Sequence, residues 1–249
     1  MTIISKPDLR DEQGFTLVEL AIVMIIIGLL IGGVLQGQNL ITNARVLSVT
    51  NEIESIDAGV ATFREAYGGW PGDLEDADIR LRNCEDECVA GDGDNQVGPD
   101  NVFDGGTADD ENDAFFLQLA AADIVTSVDP SATDDDFGGM YPVSDLGGGY
   151  LIGYSTGGSN GIPDQTDDDI IQGHYLGLMT DSGFDLEDGG FPPSLTARID
   201  RKLDDGFPEE GNVRAAGQDD CTDTGGDGQI IYNEGEQANQ CNLAIRIQG

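Results

Sequence analysis

The sequence predicts an α+β chain: one long N-terminal helix, membrane-spanning in its first half, packed on a small antiparallel sheet in a loop-rich head. Three observations predict it. Residues 15–35 form an apolar run of 21 residues with one charge, Glu19. Apolar residues then recur at helical spacing from Val46 to Tyr67. Beyond Gly68, short apolar runs alternate with long stretches rich in Gly, Asp and Asn.

The run FTLVELAIVMIIIGLLIGGVL matches the roughly 20 apolar residues that a helix needs to cross a bilayer. A polar leader, residues 1–14, precedes it. Lys6 and Arg10 in that leader favour a cytoplasmic N-terminus and an exported remainder. A secretory signal has a shorter apolar core followed by a small-residue cleavage site, and nothing after Leu35 has that form. Gly28, Gly32, Gly33 and Gly37 weaken this half of the helix and permit bending or close helix approach.

The second half follows from Val46, Val49, Ile53, Ile56, Val60, Phe63 and Tyr67, spaced alternately by three and four. Such a stripe packs against a core. A coiled coil has the same period, but barely three heptads are present before Gly68-Gly69-Trp70-Pro71-Gly72 stops the helix, so packing on the chain's own head is favoured. In the head, residues 111–124 predict a helix with Phe115, Leu119 and Ala122 on one face. Residues 150–154 and 174–179 predict short strands, and residues 195–203 a short helix stopped by Asp204-Asp205-Gly206. Residues 229–232 and 242–247 predict closing strands. The organisation is a leader (1–14), an apolar helix (15–35), its amphipathic continuation (36–67) and an acidic head (68–249).

Charge narrows the function classes. The 249 residues carry 48 acidic and 11 basic side chains, a formal net charge of −37. A nucleic-acid binder needs a basic footprint, and an anionic lipid surface attracts basic segments, so the balance argues against both partners. A charge this large repels itself in the compact state, which divalent cations or a salty medium would relieve.

Glu19 is out of place in an apolar segment, where carboxylates are costly and mostly functional. It closes the string Gly14-Phe15-Thr16-Leu17-Val18-Glu19 at the head of the apolar run. This string, behind a short charged leader, resembles the type IV prepilin signal. The resemblance implies cleavage between Gly14 and Phe15 by a prepilin peptidase, N-methylation of Phe15, and a role for Glu19 in assembly, pairing with the free amine of a neighbouring subunit. The segments Trp70-Pro71-Gly72-Asp73, Leu146-Gly147-Gly148-Gly149-Tyr150 and Ile199–Pro208 also look like parts of large prepilin-type proteins. Their reading here is turn formation.

Four cysteines, Cys84, Cys88, Cys221 and Cys241, fall on the exported side, where disulfides persist. Three connectivities are open. Local closure favours Cys84–Cys88 with Cys221–Cys241, and the second pair would staple a C-terminal loop of the sort pilins have. A four-thiolate zinc site is the rival, disfavoured by the long separation of Cys221 and Cys241. Calcium is the stronger metal candidate. The stretch 223–234 keeps four elements of a twelve-residue calcium loop: Asp223, Asp227, Gly228 and Glu234. Gly225 replaces its third ligand. Asp92-Gly93-Asp94-Asn95-Gln96 is a second candidate, with Asp92 and Asp94 as ligands, and Asp164 with Asp167–Asp169 a third. The alternative for each is a solvated acidic loop.

Nothing in the sequence points to an enzyme. His174 is the single histidine and reads as structural, and no phosphate loop, nucleophile elbow or metalloprotease helix is present. The leading expectation is a structural subunit of a type IV pilus-like filament, partnered by other pilins and the assembly machinery. It would begin in the inner membrane and end in an extracellular filament. The alternatives are a pseudopilin of a type II secretion system, in a periplasmic pseudopilus, and a minor or tip pilin with an adhesive head.

Overall fold

The computed structural model describes residues 15–84, 86–88, 91–99, 103, 110–157, 162, 170–186, 189–217, 220–226, 228–236, 238 and 241–248. Gly14 and the rest of the leader, Asp227, Asp164 and Asp167–Asp169 lie outside them. The chain divides into two compact units, up to Ala44 and from Arg45 onward.

Helix α1 runs Leu17–Tyr67. Every residue from Phe15 to Gln36 is exposed, including Leu29 at 73 % and Met24 at 70 %. From Arg45 onward α1 is amphipathic, and Val46, Val49, Ile53, Ile56, Val60 and Phe63 are buried in the core of the head. The helix stops where Gly68 turns to φ 79° and its N–H bonds the Arg64 carbonyl at 2.8 Å.

Two short elements follow, α2 (Ala77–Arg80) and a 3₁₀ turn at Asp86–Cys88, then α3 (Asp110–Ala121). The one-sided apolar face expected for α3 understates its environment. Every residue from Ala114 to Ala121 is buried, and the helix ends at Ala121 rather than at 124. Polar residues on such a helix need partners. Gln118 has them: it accepts the Gly72 N–H at 2.7 Å and donates to the Cys88 carbonyl at 3.2 Å. Asn112 donates to the carbonyls of Val97 at 3.3 Å and Ile152 at 3.0 Å. Gly72 itself, at φ 89°, lies so close to α3 that a Cβ would sit 2.5 Å from the Glu111 carbonyl. These contacts seat the loop carrying Asp73 on the first turns of α3.

The sheet is antiparallel in the order β1-β2-β6-β3: β1 (Gly149–Ser155), β2 (Gly173–Met179), β6 (Cys241–Arg246) and β3 (Val213–Gly217). Its two edges are β1 and β3. The β1 edge is covered by a bridge from Val143 to Gly149 and by the Tyr150 N–H bonding the Pro142 carbonyl. Tyr150, Ile152, Tyr154, His174, Leu176 and Leu178 share one face through the β1–β2 register. Helix α4 (Pro193–Leu203), begun by a proline, packs beside β3 and β6. A separate hairpin of β4 (Thr222–Thr224) and β5 (Ile230–Tyr232) is tied to β6 by a disulfide between Cys221 and Cys241. A second disulfide joins Cys84 to Cys88, and no cysteine is free. No thiolate is therefore left for zinc.

Candidate functional site

Thr16 and Glu19 form a closed unit at the start of α1. The Thr16 N–H donates to Glu19 Oε2 at 2.8 Å, the Thr16 hydroxyl donates to the same oxygen at 2.8 Å, and the Glu19 N–H reaches Thr16 Oγ1 at 3.3 Å. This is a capping box, in which a threonine N-cap and a glutamate three residues on satisfy the first orphan N–H groups of a helix. The single acid of the apolar segment thus has a local task. It also stands four residues from Phe15, itself 82 % exposed.

A second acidic site is assembled in the head from distant segments. One carboxylate oxygen from each of Asp73, Asp92 and Asp94 lies within 4.8 Å of the others, a group able to hold a metal ion. Asp73 is buried. Its Oδ1 accepts the N–H groups of Gly93 at 2.7 Å and Asp94 at 3.1 Å, and its Oδ2 that of Asn95 at 2.8 Å. Burial pushes the Asp73 carboxyl above its usual range, and the three N–H donors pull the other way. Asp92 and Asp94 are exposed and each turns its Oδ1 to the N–H two residues on. Glu111, in the first turn of α3, braces the loop from outside by accepting the Asp92 and Gly98 N–H groups, each at 3.0 Å.

The stretch 223–234 takes a different form. Asp223 lies on β4 opposite Ile231, exposed, with its Oδ1 on the Thr224 N–H. Glu234 gives its carboxylate to Arg201 of α4 in an ion pair. Among the described residues, neither belongs to a three-ligand group. The sequence marks Asp73 only as part of a turn, because its partners come about twenty residues later and nothing local points to them.

His174 is 4 % exposed, packed between the Trp70 ring at 3.7 Å and the Tyr154 ring at 5.0 Å. Burial, aided by the nearby Arg64 cation, lowers its pKa to about 3. It is a neutral core ring.

The first half of α1 is exposed, apolar and long enough to cross a bilayer, it is capped by one carboxylate, and the helix continues into an acidic α+β head. The prokaryotic N-terminal methylation motif matches residues 9–35. The chain thus carries a prepilin-type N-terminal segment, which supports a likeness to type IV pilin-like precursors, and the motif's family is structural rather than enzymatic. Comparison with curated proteins and with solved structures gives no match.

Proposed function

We propose that the chain is a structural subunit of a type IV pilus-like filament. It is cut between Gly14 and Phe15 by a prepilin peptidase, methylated on Phe15, and assembled from the inner membrane into an extracellular filament through α1. The observation that carries this reading is Glu19, a carboxylate at the head of the exposed apolar half of α1 and within the methylation motif. Cleavage creates an amine at Phe15. The amine and a carboxylate are each costly in a dry environment, and pairing between copies offsets both while favouring one axial stagger.

Calcium is the ion we assign to Asp73, Asp92 and Asp94. Three carboxylates make a hard, all-oxygen donor set, and one of them is fixed by backbone donors while two face solvent. The ion would neutralise part of the acidic surface. A chain with so much negative charge gains from that.

Mass spectrometry of filaments sheared from the source cell tests the reading. A dominant chain beginning at N-methylated Phe15 supports it. The same N-terminus confined to the membrane fraction assigns the chain instead to the short filament of a type II secretion machine. A mature chain that retains Met1 overturns both.

A further inference from the structure

An open groove of about 460 Å³, within the size range of small-ligand sites, runs along the head half of α1. One wall is a single face of that helix, where Ser48, Glu52 and Ile56 follow one another at intervals of four. This stretch of helix is about 12 Å long. The opposite wall is built by Ile124 and Val125, just after α3, and by Pro142, ahead of β1.

The two ends of the groove are unlike. Ile124 lies at the Ile56 end: a Cβ added to Gly59, about one turn further along α1, would sit 3.0 Å from its Cγ2. That end is aliphatic. At the Ser48 end two carboxylates meet one hydroxyl. Ser48 Oγ is 2.5 Å from Asp145 Oδ2 and 3.2 Å from Glu52 Oε1. A hydroxyl has one hydrogen, so it serves one acid at a time. Glu52 Oε2 takes the Tyr150 hydrogen at 2.6 Å. Among the described residues, neither acid makes an ion pair. Two carboxylates so close repel each other, and a cation between them would relieve that and take the lone pair that Ser48 leaves unserved. The aliphatic end indicates what carries the cation. A hydrated metal ion gains nothing from Ile56, Ile124 and Val125. An ammonium on a methylene stem gains at both ends, with its head at the acids and its stem on the apolar wall.

We propose that the groove is a binding site for a primary aliphatic amine. The ammonium sits between Glu52 and Asp145, and the stem lies toward Ile56, Ile124 and Val125. The site is contained in one head and needs no filament, so its failure would leave the filament reading untouched.

Isothermal titration of the full chain in detergent with pentylammonium tests the site, at fixed ionic strength and against a protein-free micelle blank. On a chain of net charge −37 any cation accumulates, so the comparisons decide. Ammonium has the head without the stem, and 1-pentanol the stem without the charge. Pentylammonium is expected to bind one site about tenfold more tightly than either, the equivalent of roughly two methylenes on the apolar wall. Affinity no better than that of ammonium reduces the groove to a place where counterions gather and overturns the proposal. Affinity no better than that of pentanol overturns it as well. Glu52→Gln with Asp145→Asn, which keeps an acceptor for Tyr150, should weaken pentylammonium about tenfold and leave pentanol unchanged. Asp220→Asn with Asp223→Asn, the same change of charge at the β4–β5 hairpin, should leave both unchanged. Equal losses in the two double variants overturn the site. Should the groove variant fail to fold, the wild type decides: nuclear Overhauser contacts from the stem of pentylammonium to the methyl groups of Ile124 and Val125 are expected, and binding without them overturns the proposal.

Discussion

Tyr150 donates its phenolic hydrogen to Glu52 at 2.6 Å, fastening the edge strand β1 to α1 through a half-buried contact. Burial first, and then the Glu52 carboxylate, hold the Tyr150 hydroxyl protonated far above its ordinary range. Removing one partner of a buried hydrogen bond to a charged group leaves the other unsatisfied. Tyr150→Phe should lower stability by about 1–3 kcal/mol, read as a lower denaturant midpoint at unchanged slope. An unchanged midpoint would show that the bond contributes nothing net.

Helix α1 was legible because burial imposes its own period: a stripe at alternate spacings of three and four has no other use in a helix that ends at Gly68. Strands β1, β2 and β6 were legible because both faces are buried, which demands continuous apolar runs. Strands β3 and β4 were not. Val213–Gly217 has one strand-favouring residue in five, and Thr222–Thr224 is a three-residue polar run that does not stand out from its acidic surroundings, so their conformation is set by pairing with β6 and β5. The metal-capable cluster was half legible: Asp92 and Asp94 stand in one acidic loop, whereas Asp73 joins them only because Gln118 and Gly72 fasten its loop to α3.

Asp200 is fully buried in α4, with its carboxylate accepting the Tyr232 hydroxyl at 2.8 Å and the Gly206 N–H at 3.1 Å. Burial dominates these bonds and raises its pKa from 3.8 to about 7. A raised acid favours folding below its unfolded pKa, and that contribution is lost as pH rises from about 4 through about 7. His174, lowered from 6.5 to about 3, works in the opposite direction: its contribution is present above pH 6.5 and lost as pH falls toward 3. The two overlap, so the wild-type profile alone does not separate them. Asp200→Asn should gain on the wild type as pH rises from 4 to 7.5, by on the order of 2 kcal/mol. A difference between the two proteins that stays constant over that range would refute the raised pKa.

Calcium at Asp73, Asp92 and Asp94 would bind the folded head and not the unfolded chain. At a hundredfold excess over its dissociation constant, a ligand of this kind stabilises by about 2.7 kcal/mol. For a domain of this size that is a rise in Tm of roughly 5–10 °C, reversed by EDTA. Asp92→Asn with Asp94→Asn should abolish the rise, because both acids face solvent and neither holds the fold as Asp73 does. Asp223→Asn should leave it intact. A rise that survives the first pair and disappears with Asp223 would move the site to the β4–β5 hairpin. A Tm indifferent to calcium and EDTA would remove it altogether.

Glu19 has two tasks to separate, the helix cap it makes with Thr16 and the charge proposed to meet a neighbour's amine. Glutamine at the same position retains the cap, since an amide oxygen accepts the Thr16 N–H as well as a carboxylate oxygen does, but carries no charge. Alanine loses both. Neither change makes the apolar run less hydrophobic, so membrane insertion and cleavage after Gly14 should persist in both variants. If charge pairing drives assembly, Glu19→Gln should lose filaments about as severely as Glu19→Ala. If the cap is what matters, Glu19→Gln should assemble normally and only Glu19→Ala should fail. Filament yield after shearing, set against processed chain in the membrane, separates the two. Normal yield from Glu19→Ala would leave this carboxylate without a part in assembly.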